Sequence, residues 1–282
     1  MLSVTTLASY MYCPRKLYLT HVLKVVEPDK AALAIGETVH EALERSNKNE
    51  KFIVQQISEG ISDDDIKSLY KNHYLHFLRS SIIKHKKRLN NNEIEPFEVF
   101  KNNQELVLNQ ANIRYTNLLE FMKTNRLYGQ ELWEKLTPKI YSEIALDSLQ
   151  LTIRGIIDQI YDYGDHIEVV ELKTGKAPES GLWPSHKLQL ASYLIMAKEH
   201  FDIPCKASIK YLSANEEREL IYSSFLIDEI KEIKFKVQEL LSSKQCPPII
   251  DNKNKCEACF LKQTCYQLNI SLSSSSEIGS TV

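Results

Sequence analysis

Residues 155–176, GIIDQIYDYGDHIEVVELKTGK, decide how this chain folds. Two runs rich in Ile and Val flank the turn signal Tyr163-Gly164-Asp165, so the stretch reads as an antiparallel hairpin. Strand side chains alternate, which sends Glu171 and Lys173 to one face and Leu172 to the other. The turn at Gly164 returns Asp158 beside that face, within a couple of residues of register. Two carboxylates and an ammonium on such strands are costly to bury without partners. A divalent cation removes the conflict, because hard oxygen ligands suit Mg²⁺ or Mn²⁺. Lys173 is then placed to orient or deprotonate a metal-bound water for attack on phosphorus. The bland alternative is a surface ion pair on an exposed sheet edge, since an acid-x-lysine match is common in strands.

Three neighbours weigh against that alternative. Gly155 suits a bulge or a close ligand approach. Gln189 and Tyr193 are spaced i,i+4 on the following helical segment and share a face. His40, in the helical stretch GETVHEAL, offers an imidazole to complete a metal shell.

Working outward, KIYSEIAL (139–146), LQLTIRGIIDQIYDY (149–163) and HIEVVELKT (166–174) read as three consecutive antiparallel strands. HKLQLASYLIMAKEH (186–200) has helical spacing, KASIKYLS (206–213) and RELIYSSFL (218–226) look like a second strand pair, and a helix follows over Asp228–Ser242. Upstream, a helix from Thr5 to about Val22 is kinked or divided by Pro14, and a second covers Ala31–Ser46. Residues 62–127 form long helices that start at the cap SDDD and break near LNNNEIEP, with no glycine between Gly60 and Gly129. The order predicts an α/β domain with a helical insertion before the sheet. Its parts are N-terminal helices (1–48), helical insertion (49–137), core (138–245), cysteine segment (246–270) and a Ser-rich tail (271–282) expected to be disordered.

The 282 residues are 43% hydrophobic and 26% charged, enough for a substantial core, with a net charge of -2 that advertises no nucleic acid by itself. No apolar run approaches the ~18 residues of a membrane helix, and the N-terminus lacks the pattern of a signal peptide. The expectation is a cytoplasmic protein without membrane contact, in which six cysteines are buried, metal-bound or catalytic rather than disulfide-bonded. Cys256-x2-Cys259-x5-Cys265 is a strong metal signal, because three thiolates on one short loop converge without distant structure. A tetrahedral site needs a fourth ligand, and spacing leaves Cys13, Cys205 and Cys246 all open.

The segments GETVH, GIID, ELK and QLASY together resemble the PD-(D/E)xK nucleases of the RecB type. The resemblance implies a restriction-endonuclease-like core with a mixed sheet. Asp158 and Glu171 become ligands of Mg²⁺ or Mn²⁺, with the Leu172 carbonyl and His40 sharing the shell. Lys173 becomes the catalytic lysine, Gln189 an organiser, and Tyr193 a support or a DNA-contacting ring. Certain RecB-type nucleases place one cysteine in a CPRKLYL-like helix and three at the C-terminus, which clasp a [4Fe-4S] cluster. MYCPRKLYL is similar, and on that basis Cys13, Cys256, Cys259 and Cys265 are assigned to the cluster, with Zn²⁺ the alternative on coordination chemistry alone.

No G-x-x-x-x-G-K-[ST] loop occurs, so no helicase motor is expected. A compact, cluster-bearing nuclease most resembles the Cas-four family of CRISPR-associated exonucleases. That family implies DNA-end trimming during spacer acquisition, beside the CRISPR integrase and its small partner subunit. The alternatives are a general RecB-like DNA repair nuclease and a non-catalytic DNA-end-binding assembly subunit. For DNA phosphates the candidate cations are Lys84, Lys86, Lys87 and Arg88 in IIKHKKRLN, with Arg15 and Lys16 behind Cys13. Such contacts would be salt-dependent and blind to base sequence.

Overall fold

The computed structural model describes residues 1–243 and 245–268. A two-residue strand β1 (Leu2–Ser3) leads into α1 (Val4–Tyr12), α2 (Pro14–His21), α3 (Ala31–Lys48) and α4 (Glu50–Val54). The long helices α5 (Asp63–Asn91) and α6 (Pro96–Asn125) follow, then α7 (Gly129–Lys135). Next come β2 (Lys139–Ser148), β3 (Ile153–Asp162), β4 (Ile167–Lys173), α8 (Pro184–His200), β5 (Cys205–Tyr211) and β6 (Glu216–Glu219). Helices α9 (Phe225–Ser242) and α10 (Lys253–Glu257) complete the series.

The helix boundaries follow from local chemistry. Pro14 divides the first helical stretch in two: extended Cys13 closes α1 and caps α2, whose first residue is the proline. Helix α5 starts where the Ser62 hydroxyl accepts from the Asp65 amide, with three aspartates in the first turn at the positive end of the helix dipole. It stops at Asn92, and Pro96 opens α6.

The six strands form one mixed sheet. Strands β2, β3 and β4 are antiparallel, β5 runs parallel to β4 after the α8 crossover, and β6 returns antiparallel to β5. Strand β2 covers one edge of β3 along its length. The other edge carries β1 at Ile153–Arg154 and β4 at Gln159–Asp162, so Asp158 lies just beyond the end of the β3–β4 ladder. Helices α1, α8 and α9 pack on one face, around Val169, Leu190, Leu194 and Ile230. The insertion, with α3, covers the other face around Leu43, Leu78, Leu118 and Leu172. Strand β4 is therefore buried on both faces, with Val169 in one core and Leu172 in the other. Each such side chain contributes about 1.5–3 kcal/mol when fully buried, which pins the strand's register.

Three expectations need correction. Strand β6 ends at Glu219, not near residue 226, because it is an exposed edge strand with nothing beyond it; Ile221 and Tyr222 leave the sheet into solvent. Helix α9 correspondingly starts at Phe225 rather than Asp228. The close approach expected at Gly155 is made by the chain's own ring: a Cβ there would lie 2.5 Å from Cε1 of Tyr193. Strand β1 was not foreseen, since two residues carry no periodic signal. Among the described residues no helix is long and apolar enough to cross a membrane. The tail over 271–282 lies outside them.

Candidate functional site

A cleft of about 960 Å³ is lined by His40 and Glu44 from α3, Glu143 from β2, and Leu172 and Lys173 from β4. At its wall the β3–β4 ladder has ended, so Asp158 and Glu171 stand across from each other without main-chain pairing. The Leu172 amide instead donates to Asp158 Oδ2 at 2.8 Å. Glu171, 3% exposed, accepts at Oε1 from Lys173 Nζ (2.6 Å) and from Gln189 Nε2 (2.7 Å). Lys173 Nζ also donates to Gln189 Oε1 at 3.0 Å, and Gln189 Nε2 lies 3.2 Å from the Tyr193 hydroxyl. The i,i+4 spacing on α8 thus delivers the amide and the phenol to one point. Tyr193 is 1% exposed, so it supports the site from inside the core. His40 Nδ1 lies 3.8 Å from Asp158 Oδ2, and burial holds its pKa below the usual value, favouring the neutral ring.

Burial raises both carboxyls above their ordinary range; for Glu171 the Asp158 charge adds to the effect, and for Asp158 the Leu172 amide opposes it. Glu171 Oε2 is buried with no hydrogen-bond partner among the described residues. An orphaned carboxylate oxygen beside a second carboxylate is what a hard divalent cation satisfies, so this donor set fits Mg²⁺ or Mn²⁺. As they stand, no three His, Cys, Asp or Glu side chains among the described residues close tightly enough to hold a metal ion.

The second cluster joins the two ends of the described chain. Cys13, Cys256, Cys259 and Cys265 line one pocket. Cys246 lines a separate groove with Pro247 and Pro248, and Cys205 starts β5. Arg15, 1% exposed, donates from Nε to Cys265 Sγ at 3.0 Å, from Nη2 to the Cys265 carbonyl at 2.9 Å, and from Nη1 to the Pro247 carbonyl at 2.5 Å. The expectation that Arg15 meets DNA is thereby overturned. The buried guanidinium instead ties Cys265 and Pro247 to α2. Four cysteines lining one pocket beside a fixed cation have the soft-donor chemistry that suits either an iron–sulfur cluster or Zn²⁺, although, like the cleft groups, they do not close to metal-binding distance in this structure.

Over residues 1–266 the chain matches the PD-(D/E)XK nuclease superfamily. It belongs to that superfamily. The CRISPR-associated exonuclease Cas4 of Francisella tularensis subsp. novicida is 27% identical over 125 residues, 44% of this chain and 57% of that protein. A Cas4 exonuclease/Cas1 endonuclease fusion of Myxococcus xanthus is 25% identical over 130 residues, again 44% of this chain but 22% of the fusion. The chain therefore spans about half the length of the first relative and under a quarter of the second. The crystal structure of SSO0001 covers 57% of this chain at 16% identity and a TM-score of 0.31. The resemblance to a Cas4-like member of the PD-(D/E)XK superfamily is borne out.

The cations proposed for DNA divide into two pairs. Lys84 bonds Glu41 at 2.8 Å, and Arg88 grips Asp29 through two 2.8 Å bonds and also pairs with Glu37. Lys86 and Lys87 are exposed and make no ion pair among the described residues. Lys16 is held by Glu27 at 3.0 Å. Among the cleft residues that escaped the sequence reading is Glu143, on β2 across the β2–β3 ladder from Asp158. Only the β2–β3 register relates those two positions, and no local pattern signals it.

Proposed function

We propose that the chain is a divalent-cation-dependent DNA exonuclease that trims single-stranded DNA or DNA ends. The observation that carries this is the hydrogen-bonded set of Glu171, Lys173, Gln189 and Tyr193 around an orphaned Glu171 oxygen, with Asp158 held beside it by the Leu172 amide. Asp158, Glu171, the Leu172 carbonyl and His40 would hold Mg²⁺ or Mn²⁺, which when bound supplies positive charge at the phosphate and lowers the pKa of water. Lys173, held between Glu171 and Gln189, orients the attacking water and stabilises charge developing on the phosphate oxygens. Gln189 fixes the Glu171 oxygen and the lysine together, and Tyr193 fixes Gln189. Cys13, Cys256, Cys259 and Cys265 would hold a [4Fe-4S] cluster that ties the N-terminal helices to the C-terminal segment.

A role in trimming spacer precursors during CRISPR adaptation is supported by the names of the relatives. The fused Cas1 endonuclease in one of them supports an integrase partner, and we extend that partnership to the integrase's small subunit. A general RecB-like repair nuclease has the same chemistry and differs only in partners. A non-catalytic DNA-end-binding subunit is disfavoured, because buried charges with no reaction to perform carry their desolvation cost for nothing.

The test is degradation of end-labelled single-stranded DNA by the purified full chain with Mg²⁺ or Mn²⁺. Asp158→Ala and Lys173→Ala are each expected to lower the rate by about 10²–10⁴-fold, the range of a positioned acid–base group. Cleavage that persists in both variants places the chemistry elsewhere.

A further inference from the structure

Six non-glycine residues among those described have a positive φ: Lys24, Glu93, Arg126, Glu143, Thr152 and Asn215. Five of them lie in loops, turns or helix ends, where a reversal of the chain requires that conformation. Glu143, at φ 58°, lies inside a strand. A left-handed residue with a Cβ is unfavourable anywhere, and in a strand it also costs ladder pairing. The ladder shows that cost: Ser142 pairs with Gln159 and Ile144 with Ile157, while Glu143 drops out opposite Asp158.

Nothing in its own surroundings compensates the residue. Glu143 is exposed to the cleft and makes no hydrogen bond or ion pair among the described residues. The charges acting on it are those of Glu44 and Glu171, with Lys48 the opposing one, and Lys48 already bonds Glu44 at 2.5 Å. Partial desolvation and then the Glu44 charge lift its carboxyl above the usual range, and Asp158 feels it in return. Strained backbone, a broken ladder and like-charge crowding therefore meet at one residue whose side chain packs against no core. Strain of this kind persists where the site uses the geometry it enforces.

The geometry points to Glu143 as a further positioning residue of the cleft, its carboxylate holding the attacking water beside the Asp158–Glu171 pair and adding to the negative field that retains the divalent cation. This rests on the nuclease reading above. It extends that reading to a residue outside the Asp158, Glu171, Lys173, Gln189 and Tyr193 set.

Two substitutions separate the role from mere surface placement. Glu143→Gln keeps size and backbone strain but removes the charge; Glu143→Asn also removes the charge and suits a left-handed conformation. Each is tested in the full chain for degradation of labelled single-stranded DNA across a Mn²⁺ titration, for direct Mn²⁺ binding by electron paramagnetic resonance, and for thermal unfolding without divalent cation. Both variants should bind Mn²⁺ more weakly and cleave about 10–100-fold more slowly, the usual cost of losing a residue that orients a metal site from outside it. Their melting temperatures should equal or exceed that of the native chain. Wild-type rate and Mn²⁺ dependence in both variants would overturn the assignment. So would slower cleavage accompanied by a lower melting temperature, since the residue is then structural. If the native chain cleaves nothing, the nuclease reading fails by itself, and direct Mn²⁺ binding by electron paramagnetic resonance still decides whether Glu143 acts on the cation.

Discussion

The Asp158–Glu171 cleft and the cysteine pocket are assembled in opposite ways. The cleft draws its central groups from one hairpin, with Leu172 and Asp158 only 14 positions apart, and it holds more negative charge than it can pair internally. The cysteine pocket joins residues 250 positions apart, and it holds a buried guanidinium with no carboxylate partner among the described residues. One site is short of a cation and the other of an anion. The lesson is a division of labour. Glu171 and Lys173 are carried by β4, a strand buried on both faces, so replacing them should leave the fold standing. Pocket residues join the N-terminal helices to the C-terminal segment, so replacing them should loosen the chain before it touches the chemistry.

The sharpest way to break that contrast is at Cys13. Cys13→Ser should remove iron and visible colour from anaerobically purified protein and lower its melting temperature, whereas Cys246→Ser should retain both. The reverse pattern would mean that Cys246 is the fourth ligand, and a colourless preparation holding only zinc would replace the cluster with Zn²⁺. A smaller effect is expected at Arg15. Arg15→Met leaves two carbonyls and the Cys265 sulfur without their donor and should destabilise the chain by about 3 kcal/mol in urea unfolding. An unchanged midpoint would show that the guanidinium does not tie the ends together. The smallest effect is reserved for the insertion. Replacing Lys86 and Lys87 together by Ala should lower the slope of log affinity for single-stranded DNA against log salt by about 2, roughly one per phosphate contact. The same double change at the already paired Lys84 and Arg88 should lower it less. Equal slopes in all three proteins would remove the insertion from the DNA path.

Much of the site was legible because strands and helices have fixed periods. Alternation placed Glu171 and Lys173 on one face of β4, and i,i+4 spacing placed Gln189 with Tyr193, before any contact was known. Pro14 announced the break between α1 and α2, and SDDD the start of α5, because caps and prolines act within one turn. Arg15 was misread for an equally physical reason. A cation in a polar sequence context is usually solvated, and nothing local tells that Cys265 and Pro247 will enclose it. Gly155 was misread because a glycine in a strand signals close approach without naming what approaches.

The amino-acid sequence by itself therefore determined which residues carry acid, base and thiol chemistry and which elements present them, since those depend on periodicity and short-range capping. Tertiary structure decided which elements meet. It set His40 on α3 against Asp158, brought Cys13 to Cys265, and left Glu143 strained in the wall of the cleft. Those relations depend on the sheet register and on packing between distant segments, and no local pattern in the chain encodes them.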